Sequence, residues 1–503
     1  MSGSPRGGAG PAEIHAVAAR TFTMADQLAF AALSGDHNPL HMDPVTARRT
    51  AAGACVVHGV QALAWALEQL APLLPLRELR GLDADFSRFL LVGEPATLVL
   101  SARAADRVVA ELRTGSTRAA LYRLRFDGAA DPPPADPPSD TPPADAFPPD
   151  AIVPLAPDWI GTAAAAGTMP FFRSDADPAA SHPGLSAAIG ADRVAGLLAL
   201  TRLVGMVSPG LHSTFHRIEL RLVARAAAPG AAGRLRFETV ASDARFSTVS
   251  IAVHADGLDG RVRASRRAPP AAQPGSIALR DLVAPRRFPG NTALVVGGSR
   301  GLGEVTAKLL GLAGVDTILT YNAGAAEAHA VVDDIVAAGG RARALRLDVS
   351  SPSAAFLDAL PAVIGSLYFF ATPRIAGNPG SSYAPELFRS YLGVYVDAFH
   401  ALCACLSARG DRPLHVFYPS TVFVSEPTRA MAEYAMAKAA GEILAADMTS
   451  FMPNVRVEVV RLPRLPTDQT AGLFEREMAS VAETMLPIVL RIEDRASADA
   501  RAR

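Results

Sequence analysis

Cysteine is scarce in this chain, with Cys55, Cys403 and Cys405 the only three in 503 residues. They form neither a disulfide framework nor a metal-ligand spacing, so no metal is expected and a reducing, cytoplasmic compartment is. An excess of one charge is also missing: 48 Lys and Arg stand against 49 Asp and Glu. No basic stripe stands out, which argues against nucleic acid and toward small molecules or another protein as partners. Long apolar runs are lacking as well. The longest candidate, Val194 to Val207, is broken by Arg202, so no membrane span is expected. The first twenty residues have no apolar core of the kind a secretory signal carries.

What remains is ample material for packed cores, since 50% of residues are hydrophobic. The length suggests roughly two to four domains. Proline and glycine mark the seams. Asp131 to Pro149 (DPPPADPPSDTPPADAFPP) cannot hold a helix or strand, because proline fixes φ and removes N–H donors, and it reads as an extended spacer. Arg267 to Gly275 is a second seam. Three units follow: 1–130, 150–266 and 280–503, with 131–149 as linker.

The first two units share a pattern of an Ala/Leu-rich helix followed by strand-like segments. In the first, the helix lies near Val60 to Leu74, with strands at Ala96 to Ala102 and Ala119 to Phe126. In the second, it lies near Ala191 to Val207, with strands at Ser213 to Val223, Gly233 to Ala241 and Phe246 to His254. That order is α+β, and two such units in tandem suggest a pseudo-dimer. The third unit alternates strand and helix, which implies βαβ units and a parallel sheet.

In the third unit, Val296-Gly-Gly-Ser-Arg-Gly-Leu-Gly303 follows an apolar strand and opens a helix. Small residues let such a turn approach a pyrophosphate, and the helix N-terminus supplies free N–H groups. Gly297, Ser299, Arg300, Gly301, Leu302 and Gly303 are the candidate cofactor-binding positions of this turn. Farther on, Tyr434 and Lys438 lie four apart on one helix face, where an ammonium can lower a phenol's pKa for proton exchange with a carbinol oxygen. Ser420 and Thr421 close the preceding strand and offer hydroxyls to a substrate carbonyl.

Over roughly 285–480 these features resemble the short-chain dehydrogenase/reductase family. The resemblance implies a doubly wound Rossmann fold, a nicotinamide cofactor, Tyr434 as the catalytic proton donor or acceptor, and Lys438 on the ribose. It also implies Asp348, with Val349 beside it, near the adenine, and a Pro-rich turn ending at Thr467 beside the nicotinamide. The second strand ends Thr320-Tyr321-Asn322 without the carboxylate that would bind the ribose of NAD, and Arg300 could meet a 2′-phosphate, so NADP (NADPH) is expected. Several positions depart from the family: Val296 replaces its Thr, Ala371-Thr372-Pro373 replaces its Asn-Asn-Ala-Gly, and its helix-borne Asn has no match in SYLGVYVDAF. Thr421, not Ser420, falls at the usual spacing from Tyr434.

Near the N-terminus, Ser34-Gly-Asp-His-Asn-Pro-Leu-His41 lets Asp36 and His41 converge across a rigid turn. A carboxylate and an imidazole aimed at one point can add water to an enoyl thioester, or run the reverse elimination. The thioester oxygen needs a donor, which Gly59, at the start of the helix after His58, could supply; Asn38 is a second candidate for contact with substrate. From Phe22 through Leu67 this pattern resembles the MaoC-like (R)-specific enoyl-CoA hydratase/dehydratase family. The resemblance implies a hotdog fold with Asp36 and His41 catalytic, and His37 and His58 in structural or supporting roles. The middle unit, around Leu203 to Ser213, lacks the acid–base motif and reads as a catalytically silent second hotdog. His182, His212 and His216 have no defensible partner spacing.

The expected architecture is therefore an α+β double hotdog followed by an α/β doubly wound Rossmann domain. The expected function is a 3-oxoacyl-thioester reductase joined to a 3-hydroxyacyl-thioester dehydratase, acting on acyl-CoA or acyl carrier protein thioesters, in a homo-oligomer. Two alternatives stay open: a hydratase/dehydratase with a structural or nucleotide-sensing reductase-like domain, and a non-catalytic acyl-binding subunit.

Overall fold

The computed structural model describes residues 15–126, 166–173, 175–224, 233–267, 269–283, 288–377, 383–468 and 478–502. The expected spacer at 131–149 lies outside them. The chain divides into two compact units, Met1–Pro269 with Gly472–Phe474, and Pro270–Ala471 with Glu475–Arg503. The boundary falls within the 267–275 seam. The first two of the three expected units are thus parts of one body.

That body is built on strands β1 (His15–Thr21), β2 (Gly81–Phe86), β3 (Pro95–Arg103), β4 (Arg107–Thr114), β5 (Thr117–Arg125), β6 (Ala166–Pro170), β7 (Ser213–Leu222), β8 (Arg234–Asp243), β9 (Thr248–Ala255) and β10 (Leu258–Arg266). They form one ten-stranded sheet in the order β1-β3-β4-β5-β2-β7-β10-β9-β8-β6. Read from either edge, each half has the same plan, and the halves meet where β2 pairs antiparallel with β7, Ala84 opposite Ile218. Alternation sets the faces: on β5, Ala120, Tyr122 and Leu124 are buried while Arg125 is exposed. Corresponding hairpins, β4 to β5 and β9 to β10, turn over two residues, with Gly115 at φ 55° and Gly257 at φ 79°. Tight hairpins of this kind require positive φ, which only glycine adopts freely.

Each half contributes a buried helix. Gly59–Leu70 is mostly apolar, with Val60, Leu63, Ala64, Ala66, Leu67 and Leu70 fully buried. Ala191–Arg202 is its counterpart and runs on into a π-helical turn, Leu203–Val207. Both helices join a single apolar cluster with the inner face of the sheet.

The second unit has strands β11 (Thr292–Val296), β12 (Asp316–Tyr321), β13 (Ala342–Arg346), β14 (Ser366–Phe369), β15 (Leu414–Thr421) and β16 (Val455–Leu462). All pair in parallel, in the order β13-β12-β11-β14-β15-β16, with one apolar cluster on each face. This is a doubly wound sheet whose order reverses between β11 and β14, the place where such sheets take ligands. Lys308 pins the seam to it, donating to the Pro274 carbonyl at 3.0 Å and pairing with Glu304 at 2.7 Å and Asp334 at 3.0 Å. One expectation needs correction. The helical run Pro385–Ser407 is long and apolar enough to cross a membrane by length and composition. Here it buries Tyr391, Tyr395, Phe399 and Leu402 against the parallel sheet.

Candidate active site

In the first unit, the helix Met24–Ser34 ends at Gly35, which takes φ 75° and turns the chain so that Asp36 follows inside the fold. Asn38 then caps the short helix Pro39–Met42, its Oδ1 accepting from the Leu40 N–H at 3.0 Å, and this turn carries His41 back over Asp36. His41 Nδ1 lies 2.7 Å from the Val56 carbonyl, which can only accept, so Nδ1 carries the proton and Nε2 is left with a lone pair in the neutral ring. Donor atoms of Asp36, His41 and His58 lie within 4.8 Å of one another, close enough for one water to touch both Asp36 and His41.

Burial raises the pKa of Asp36, opposed by His41, the Thr201 hydroxyl and the Asn38 N–H. Burial lowers that of His41, opposed by Asp36. The two groups are thus pushed toward sharing a proton. His58 lies fully buried against His41, ring centroids 3.8 Å apart. Its Nδ1 faces Gln27 Oε1 at 2.9 Å and its Nε2 the Asp36 carbonyl at 3.1 Å, so it acts as a support whose nitrogens are already engaged.

The second half of the sheet completes this site, which sequence reasoning missed. Thr201 donates to Asp36 Oδ2 at 2.6 Å from the buried helix. In the following π-helical turn, a Cβ on Gly205 would come within 2.5 Å of Asp36 Oδ1, so only glycine leaves room for the carboxylate. A hydroxyl inside the apolar stretch Val194 to Leu203 was the available signal. The expected substrate role of Asn38 is corrected: its Nδ2 donates to the carbonyls of Gly205 at 3.1 Å and Leu211 at 3.0 Å, so its amide clasps the second half instead of facing ligand. Gly59 does line the cleft, at a helix N-terminus without a side-chain cap. The cleft encloses about 680 Å³ including its mouth and takes walls from both halves, Phe86, Leu112 and Tyr122 from one and Val204, Thr214 and Phe215 from the other.

In the second unit, the glycine turn follows β11 as expected. Gly297 has φ 80°, and a Cβ there would press on the backbone of Phe370 and Ala371 at 3.1–3.2 Å; a Cβ on Gly303 would meet the Gly297 carbonyl at 2.2 Å. The turn, Ala371 and Thr467 come together, Thr467 packing 3.5 Å from where a Gly301 Cβ would stand. Ser299 is buried, Leu302 packs on the apolar cluster, Asn322 is exposed at the end of β12, and Val349 lies at the rim of the opposite cluster. Asp348 is exposed, its carboxylate turned onto the Ser350 N–H at 3.0 Å. Arg300 forms an ion pair with Asp468 at 3.4 Å, so it does not stand open for a phosphate as expected.

Tyr434 and Lys438 share a face of the helix Ala432–Phe451, and the Thr421 hydroxyl near Tyr434 favours the ionised phenol. Ser420, one residue earlier on β15, faces the other way and donates to Glu442 at 2.5 Å, while Thr421 is on the Tyr434 side. The expected activation of the phenol also needs correction. Lys438 Nζ donates to the Pro419 carbonyl at 2.7 Å and lies 3.9 Å from the centre of the Tyr395 ring. Burial pushes this lysine down to about 7, and burial and Tyr391 push the Tyr434 phenol up to about 12. Tyr395, within the π-helical turn Gly393–Ala398, bonds to Thr372 at 2.5 Å and packs edge-on to Tyr434.

Comparison with known proteins fits this division. The family described as MaoC like domain matches residues 11–121, and the family described as short chain dehydrogenase matches 291–365. Separate stretches of one polypeptide thus match a MaoC-like family and a short-chain dehydrogenase family. Among curated relatives, an uncharacterized oxidoreductase of Methylorubrum extorquens is 42% identical over 64 residues, 13% of this chain and 26% of that protein. Versicolorin reductase 1 of Dothistroma septosporum is 41% identical over 63 residues, 12% of this chain and 24% of that protein. The chain therefore matches only about a quarter of the length of these relatives. Among solved structures, the Escherichia coli oxidoreductase yciK is 18% identical, covering 42% of this chain and 92% of that one with a TM-score of 0.38. A metagenomic short-chain oxidoreductase solved with NADP is 23% identical, covering 42% and 93% with a TM-score of 0.36.

Proposed function

We propose that the chain adds water to, and eliminates it from, (R)-3-hydroxyacyl and 2-enoyl thioesters at Asp36 and His41, in a double hotdog, and that its second unit is an NADPH-dependent 3-oxoacyl-thioester reductase. The observation that carries the first half is the convergence of a buried carboxylate and a neutral imidazole on one wall of a largely apolar cleft. In hydration, a water between them loses a proton to the pair as its oxygen bonds to C3, and C2 takes a proton. In elimination, the pair removes the C2 proton and returns one to the leaving hydroxyl. The Gly59 N–H at the helix N-terminus meets the thioester oxygen as enolate charge develops.

The turn Gly297–Gly303 suits a dinucleotide pyrophosphate, since its glycines pack tightly on Phe370, Leu319 and the turn itself and so close the chain at the N-terminus of the helix Gly301–Leu312. A nicotinamide cofactor held there would supply hydride to a 3-oxo group, while Tyr434, with Thr421 near it, gives the carbonyl oxygen its proton. The absence of a carboxylate at Tyr321-Asn322 favours NADPH, with Arg300 released from Asp468 to meet the 2′-phosphate. CoA and acyl carrier protein thioesters, and a homo-oligomeric state, belong to the same proposal.

A second reading is favoured by Lys438, which faces Pro419 and Tyr395 instead of activating Tyr434: a hydratase/dehydratase with a weakened reductase domain. Product mass spectrometry separates the two. The purified chain is given NADPH and a short 3-oxoacyl-CoA, and separately a 2-enoyl-CoA. The full proposal expects hydroxyacyl product from both, with Tyr434→Phe lowering only the reduction, by about a hundredfold. Hydration without reduction of any 3-oxoacyl thioester supports the second reading. Inertness toward both substrates overturns both.

A further inference from the structure

The cleft of Asp36 and His41 holds a polar group that water addition leaves unused. Tyr122 on β5 is fully buried and lines the cleft, and its hydroxyl has no hydrogen-bond partner among the described residues. It is the only such orphan in that lining among the described residues. The residues beside it explain why. Ala110 stands opposite on β4 and Ala84 opposite on β2, with Ala120 two residues back on the same face. All three are small and buried, so they leave room for the ring and offer its hydroxyl no side-chain donor or acceptor. Leu112, Ala119 and Phe215 extend the apolar lining.

A ring needed only for packing would be phenylalanine, because a buried hydroxyl without a partner is unfavourable. Such a group at a ligand wall is satisfied when the ligand brings the missing atom. The side chains of Asp36 and His41 bond to Thr201, Asn38 and Val56 and not to Tyr122, and burial raises the phenol's pKa, so it keeps its proton.

We propose that Tyr122 reads an oxygen on the acyl chain beyond the reacting C2–C3 unit, so that the preferred substrates are oxygenated acyl thioesters, bearing a keto, hydroxyl or ether oxygen, over plain hydrocarbon chains. This rests on the reading of Asp36 and His41 as a hydratase. The test is a series of 2-enoyl-CoA thioesters of matched length, one plain and the others with a keto or hydroxyl oxygen moved stepwise outward from C5. The parent protein is expected to favour at least one oxygenated member by about tenfold in kcat/KM, the effect of one hydrogen bond in a dry site. Tyr122→Phe is expected to erase that ratio while unfolding at a temperature no lower than the parent's.

A parent that treats every member alike overturns the proposal. So does a Tyr122→Phe variant that loses plain and oxygenated substrates equally, which would put the phenol at the reacting centre. If no thioester is hydrated, the hydratase reading fails instead. Equilibrium binding of the same series to Asp36→Asn then decides the proposal: a preference in Kd that Tyr122→Phe removes sustains it, and equal Kd values overturn it.

Discussion

Both units bury an ionisable pair on adjoining turns, and they treat the pair differently. Around Asp36, every effect of burial has an opponent: the Thr201 hydroxyl, the Asn38 N–H and His41 all favour the carboxylate. Around Lys438 burial acts alone, and the ammonium's neighbours are one carbonyl and two tyrosine rings. In the first unit burial is the largest effect but a network opposes it; in the second, desolvation acts unopposed and drives the lysine toward neutrality. Spacing on a helix or turn brings residues together, but the groups behind them set their protonation.

Removing the acid–base function tests the first side of this contrast most severely. Asp36→Asn is expected to lower hydration of an enoyl-CoA about a thousandfold, the loss typical of a general acid–base group, with NADPH-dependent reduction unaffected. Equal loss of both activities would mean that the variant has unfolded, which circular dichroism checks.

The second side is tested through stability. A lysine whose folded pKa is about 7 against its ordinary 10.5 loses its proton in the folded state first. Between those pH values the unfolded chain binds more protons, so its contribution to the unfolding free energy rises with pH, by up to a few kcal/mol. Below about 7 the full penalty of burying the ammonium is present. Lys438→Met, which keeps the length and removes the charge, is expected to flatten this rise between pH 7 and pH 9 in denaturant unfolding. A rise that survives the substitution would show that Lys438 stays charged, as a working reductase would require.

The smallest effect separates positioning from packing. Thr201→Val preserves shape and removes the hydroxyl that holds Asp36 down. The remaining groups around the carboxylate, the Asn38 N–H, His37, His41 and His58, do not replace it. The acid limb of kcat/KM for hydration is expected to move to higher pH, with activity on that limb falling about tenfold; Thr201→Ser should restore it. A uniform loss at all pH values would assign Thr201 to packing alone.

These contrasts also mark what the amino-acid order reveals. Asp36 and His41 were legible because only four residues, Pro39 among them, separate them on one turn. The glycine turn and the Tyr434–Lys438 face were legible for the same reason, since local geometry follows from local spacing. Thr201 and Gly205 were not: they reach Asp36 from another helix, through a sheet that pairs β2 with β7. Strands β4 and β10 were missed beside their detected neighbours, because frequent arginines such as Arg107, Arg113, Arg261 and Arg263 obscure the alternation of their buried residues. The contacts of Lys438 with the Tyr395 ring and the Pro419 carbonyl were not legible either, because no pattern around the motif specifies them.

The mirrored order of the ten strands has a consequence for how this molecule can change. In a pair of identical subunits, every substitution is made twice, once on each side of the symmetry axis. Here both copies lie on one polypeptide, and each can vary without its twin. The half without an acid–base motif has Thr201 and a bare backbone at Gly205 where they serve the other half. Substitutions across 201–215 can therefore retune the protonation and the cleft of the first reaction centre with no matching change at 36–41. Two halves of one plan on a single chain let the second act as an adjustable wall for the first.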